Sequence, residues 1–195
     1  MKSKIALAAL LVAAPIALSC AGVGRSKYQI HENPLMNAVR ERTRTVKLYS
    51  QFDTILILDG TLYDMAVRRG MVEEDASVRR IGADEKEATL KAEADDDAKE
   101  AQFMLGVYAA KDEWNDLAEK NSRWAVFLDT PAGPVRPSSI TKVEREKLAL
   151  RDSLPYTSTF RRFYVVKFPR EKAASAPYRL VMTGLLGEVS ISWER

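Results

Sequence analysis

Reactive side chains are sparse in this chain, and the densest arrangement of them is the ten-residue stretch ILILDGTLYD, from Ile55 to Asp64. Asp59 follows four apolar residues and precedes Gly60 and Thr61, with Asp64 closing the stretch. A carboxylate so placed can serve as a nucleophile, a proton carrier or a ligand for a hard metal ion. Beyond it the inventory is short. The chain has one histidine, His31, and one cysteine, Cys20. His31 falls in an expected tether and Cys20 at an expected lipid site, which removes Ser-His-Asp and Cys-His arrangements, and no second imidazole or thiol is available to share a metal. The acidic runs EEDAS and EADDD fall on expected surface helices or turns, where nothing would split their pKa values for acid and base work. No G-x-x-x-x-G-K phosphate loop occurs.

The stretch Asp59-Gly60-Thr61-Leu62 resembles the opening motif of the haloacid-dehalogenase phosphatases, an apolar run followed by D-x-D-G-T-L. In that family the first Asp is the nucleophile and the second the general acid/base. Laid on this sequence, the second role falls on Asp59 and the first on Ile57, and an isoleucine cannot attack phosphorus. The family also needs a parallel sheet with alternating helices, whereas the strands here follow one another from Gln102 onward almost without helices. Phosphatase chemistry is therefore not expected. Asp59-Gly60 reads as a bulge or turn at a strand end, with Gly supplying positive φ and Asp a local hydrogen bond.

The elements that would hold these residues follow from hydrophobic pattern. TRTVKLYS and FDTILILDGTLY are rich in β-branched and aromatic residues and predict two strands. Residues 64–100 turn charged and Ala-rich, which predicts two helices parted near Ile81–Ala83, with Asp84 and Glu87 forming a capping box for the second. That second helix has only Leu90 as a large apolar residue before Phe103, so it belongs on the surface. Strand character then returns in AQFMLGVYAA, SRWAVFLDT, PVRPSSITKV, FRRFYVVKFP, YRLVMTG and GEVSISWE, divided by turn residues. In the last, Val189, Ile191 and Trp193 share one face; Tyr164, Val166 and Phe168 do the same earlier. Trp124 and Trp193 read as core. About eight strands with short turns predict a mainly β domain, an antiparallel immunoglobulin-like sandwich with a helical insertion, or alternatively a small β-barrel.

The N-terminus carries an address. Lys2 and Lys4 precede an apolar run, Ile5–Leu18, too short to span a bilayer, which is the form of a secretory signal peptide over residues 1–19. Removing its two lysines from 30 basic residues leaves 28 against 27 acidic ones, about +1. A near-neutral chain of interspersed charge has no basic face for nucleic acid. Ala17-Leu18-Ser19-Cys20 resembles the lipobox of bacterial lipoproteins, in which the cysteine is acylated; an ordinary cleavage site with an incidental cysteine is the alternative. Several acyl chains would make attachment stable. Ala21 in place of Asp implies, by that family's sorting rule, the outer membrane of a Gram-negative cell, with the domain facing the periplasm. Residues 20–42 read as the lipidated cysteine and a tether, discouraged from regular structure by Gly22, Gly24 and Pro34, and carrying His31 as a solvated residue. The folded domain is expected over 43–195.

One further local feature is KDEWNDLAEKNSRWAVF. Trp114 lies in a polar connection between strands and is followed by Asn115 and Asp116, which make local backbone turns. The three could form an anchor for a partner protein, or could close the end of the sandwich. The combination of FDT, EWNDL, SRWAVFL and LVMTGLLGEVSISW resembles a family of uncharacterised lipoproteins of delta-proteobacterial type. That resemblance implies no catalytic residues and no cofactor. The expected protein is a lipid-anchored binding or structural component of the cell envelope, touching the bilayer through Cys20 and an envelope partner through its domain. A soluble periplasmic or secreted enzyme, or a small-ligand-binding module, is the alternative.

Overall fold

The computed structural model describes residues 33–148, 150, 152–173 and 177–194. Cys20, His31 and the signal segment lie outside the described residues, so the expectations attached to them have no counterpart in this structure.

The elements run α1 (Pro34–Arg42), β1 (Thr43–Ser50), β2 (Asp53–Leu62), α2 (Met65–Arg79), α3 (Ala83–Lys99), β3 (Glu100–Ala109), β4 (Trp124–Asp129), β5 (Ser139–Val143), β6 (Arg162–Pro169), β7 (Tyr178–Gly184) and β8 (Gly187–Trp193). They build one five-stranded sheet of order β1-β2-β3-β6-β5 and one three-stranded sheet of order β4-β7-β8. Every strand pair is antiparallel. Both sheets are open among the described residues, which corrects the barrel alternative and leaves a mainly β fold of two antiparallel sheets with helices.

Side-chain alternation places two separate cores. On the inner face of the large sheet, Leu56 and Leu58 of β2, Phe103 and Leu105 of β3 and Val166 and Phe168 of β6 meet Leu180, Ile191 and Trp193 from the small sheet. The Phe103 ring lies 5.0 Å from Trp193 and 5.6 Å, edge-on, from Tyr178. Gly60 permits this closeness, because a Cβ there would lie 3.2 Å from the Trp193 ring. On the outer face, Tyr63, Met104 and Phe163 are covered by Leu35 and Val39 of α1, Val67 of α2 and the segment containing Leu148, Leu154 and Tyr156. From Leu58 to Leu62, β2 is thus buried on both faces, while Ile55 and Ile57, the outer-face half of ILIL, are half-buried.

Three local expectations are corrected. Residues 34–42 are not tether. Asn33 caps α1 by accepting from the Leu35 backbone N–H at 2.9 Å, Pro34 starts the helix, and Leu35 and Val39 are buried. The Asp59-Gly60 pair is not a bend at a strand end but the interior of β2, with Asp59 opposite Thr45 on one side and Gly106 on the other. Finally, α3 is capped by Gly82 without a side-chain bond, so Asp84 sits inside its first turn, where a carboxylate still favours the helix dipole. The helix pair itself and the surface position of α3, which buries no residue, agree with the sequence pattern. What holds α3 is charge: buried Arg68 of α2 pairs with Glu93 and lies 3.7 Å from Asp97, and Arg170 reaches Asp97 at 2.7 Å. No described helix is long and apolar enough to cross a membrane.

Candidate functional site

Asp59 is the chemistry-bearing residue of the sequence, and its surroundings decide its use. Outer-face registry sets Thr45, Asp59, Gly106 and Phe163 in one row across β1, β2, β3 and β6, and Thr43, Thr61, Met104 and Val165 in the next. Gly106 leaves a slot in the first row. The Tyr156 ring fills it so closely that a Cβ on Gly106 would fall 2.6 Å from the ring. From that slot the Tyr156 hydroxyl lies 3.1 Å from the Met104 carbonyl, to which it donates, and 2.8 Å from Thr61 Oγ1. Thr61 Oγ1 in turn lies 2.8 Å from Thr43 Oγ1. Burial pushes the Tyr156 hydroxyl well above its ordinary pKa, the Thr61 hydrogen bond opposing this only in part.

The Asp59 carboxylate is itself 3% exposed. It accepts a hydrogen bond from Thr45 Oγ1 at 2.6 Å and one from Arg161 Nε at 2.5 Å, and Arg161 Nη1 donates to Ser158 Oγ at 3.1 Å. A cleft of about 330 Å³ opens above, lined by Thr45, Asp59, Tyr156, Thr157, Ser158 and Arg161. Two carboxylate oxygens, each with a donor, make this an anchor that pins the 155–161 segment to the sheet. The nucleophile position of the phosphatase motif is occupied by Ile57, which shares this outer face and brings no polar atom. Among the described residues no group of acidic or imidazole side chains has metal-site geometry.

The Trp114-Asn115-Asp116 cluster separates into two roles. Asn115 is buried; its Nδ2 donates to the Val107 carbonyl at 2.7 Å, and the Tyr164 hydroxyl donates to its side-chain oxygen at 3.0 Å. Burial raises the Tyr164 pKa, with Arg162 opposing. Asp116 accepts from Ser122 Oγ at 3.0 Å and from the Arg123 backbone N–H at 3.1 Å. Both tie down the connection between β3 and β4. Trp114 ends a short 3-10 turn, Asp112–Trp114, is half-buried, and has the Lys111 ammonium 4.8 Å from its ring centre. Its carbonyl accepts from Trp124 Nε1 at 2.7 Å. Of the three, only Asn115 is fully buried; Trp114 and Asp116 are both half-buried, and Trp114 carries the larger apolar surface.

Sequence reasoning missed Thr45, Tyr156 and Arg161. A carboxylate inside an unbroken apolar strand already demanded a buried partner, yet its partner is 102 residues away and local pattern does not point to it.

Comparison with known proteins adds little. No protein-family model and no curated protein matches the chain. A crystal structure of a protein of unknown function from Burkholderia pseudomallei aligns over 82% of this chain and 81% of its own, at 15% identity and a TM-score of 0.38.

Proposed function

We propose that this protein is an exported lipoprotein, held at the outer membrane by acylated Cys20, whose β domain faces the periplasm and serves as a binding or structural component of the envelope and not as a catalyst. The observation that carries the proposal is the single cysteine, placed directly after an apolar run and a small residue. The geometry at Asp59 supports the non-catalytic part. Its carboxylate is spent on Thr45 and Arg161, as a loop anchor requires. The space between the sheets is filled by Phe103, Trp193 and Tyr178, which weighs against a ligand chamber there. The family of uncharacterised envelope lipoproteins remains the proposed kinship.

We also propose that the sandwich is of immunoglobulin kind. Supporting this, β4-β7-β8 and β6-β5 repeat the C-F-G and E-D neighbourhoods of that fold, and β1-β2 those of A-B. The departure is β3, which intervenes between the B-like and E-like strands and follows the two-helix insertion.

The anchor is tested by Cys20→Ala. It should move the protein from the membrane to the soluble fraction and abolish palmitate incorporation. Unchanged fractionation with no palmitate label in the wild type would refute lipidation.

A further inference from the structure

Strand direction collects four chain turns at one end of the sandwich. The β1–β2 turn, Gln51-Phe52, and the β7–β8 turn, Leu185-Leu186, both lie there, opposite the end where β1 begins and β8 finishes. The two hairpins touch: a Cβ on Gly187 would lie 3.1 Å from the Leu48 side chain. At their tips, the largest apolar groups are turned out to solvent. Phe52 is fully exposed, Leu185 is 98% exposed, and Tyr49 beside them is 57% exposed.

Neither tip is apolar for want of choice, since turn positions favour small polar residues. Gln51 even takes a left-handed φ of 57°, a conformation unfavourable to side-chain-bearing residues, to form the tight turn that thrusts Phe52 outward. Two convex tips with isolated, protruding side chains suit a deformable apolar medium. A protein partner would need two separate pockets at matching spacing. Tyr49, with an apolar ring and a polar hydroxyl, is of the type found at the level of lipid headgroups. Around the tips Lys47 and Asp53 carry opposite charges, which calls for no anionic surface.

We infer that the paired β1–β2 and β7–β8 hairpin tips, through Phe52, Leu185 and Tyr49, dock on a bilayer of net-neutral lipid headgroups, as a second contact beside the acyl anchor. This rests on the anchored reading above, and chain length permits it. Thirteen residues from Cys20 to Asn33 reach up to about 43 Å. The path from Asn33 through α1 and β1 to the tips spans at most about 40 Å. The tips therefore reach the anchoring bilayer whichever way α1 points.

The test supplies the anchor artificially, so its failure is distinct from failure of lipidation in the cell. The mature chain of the anchored reading, residues 20–195, is coupled through Cys20, its only thiol, to a maleimide-bearing lipid in phosphatidylcholine vesicles, and amide hydrogen exchange is compared with the uncoupled chain. Exchange over residues 49–54 and 184–188 should slow about tenfold, the low end of what burying one Phe or Leu side chain gives. Residues 130–134, at the other end, should be unchanged. The slowing should vanish in Phe52→Ser/Leu185→Ser, whose targets are exposed and whose thermal unfolding serves as a folding control. No slowing at the hairpins, equal slowing at both ends, or slowing in uncoupled protein that rises with its own concentration would each overturn the inference.

Discussion

The outer face of the large sheet and the hairpin end of the sandwich invert the usual rule in opposite directions. At the first, polar groups are inside: Asp59 and Thr61 are buried, and each has its partners within the chain. At the second, apolar groups are outside: Phe52 and Leu185 are bare, and nothing among the described residues covers them. A buried carboxylate without partners is prohibitively costly, so the chain itself must answer it. An exposed apolar side chain costs the folded chain little, so the chain itself need not answer it. The first region thus speaks about stability, and the second is where the proposed bilayer contact is tested.

The sharpest way to break this contrast is Arg161→Ala, which strands the Asp59 carboxylate with Thr45 alone. Loss of about 3 kcal/mol in urea unfolding is expected, because one partner of a buried pair has been removed. A loss below about 1 kcal/mol would mean that water, not Arg161, satisfies Asp59. Alkaline titration probes the same face. Burial pushes the Tyr63 hydroxyl up to about 12, with Glu93 adding to the shift and Arg68 opposing it. Its folded pKa exceeds its unfolded value, so the contribution to stability is fully present below pH 10 and is lost as pH rises toward 12. The loss should approach about 2 kcal/mol by pH 12, with a matching late rise in tyrosinate absorbance.

Gly106→Ala refines the picture of the Tyr156 slot. The added methyl group meets the ring at 2.6 Å, and overpacking of about 1–3 kcal/mol is expected, relieved in the double variant with Tyr156→Ala. An additive pair of effects would show that Tyr156 does not occupy the slot. Phe52→Ser should do least of all to folding, within about 0.5 kcal/mol, as befits a fully exposed side chain. A large destabilisation there would make the hairpin end a piece of core and collapse the comparison.

How much was legible depended on how local the cause was. Val189, Ile191 and Trp193 show period 2, and Trp124 and Trp193 lie in alternating strands, so their burial followed from their neighbours in sequence. The break between α2 and α3 followed likewise from Gly82 and the change in composition. Asn33-Pro34 held an equally local helix start, but Pro34 reads as a breaker beside Gly22 and Gly24 when it is in fact the first helical residue.

By itself the sequence determined the strands, the two-helix insertion and the assignment of Trp124 and Trp193 to the core, though not α1, because short-range pattern and intrinsic propensity act over a few residues. Tertiary structure alone decided that Asp59 sits inside a strand under Arg161, that Gly106 faces Tyr156, and that the tips bearing Phe52 and Leu185 stand side by side. Each of these joins residues about fifty to well over a hundred positions apart. Strand order and sheet pairing set such contacts, and no local window of the chain contains them.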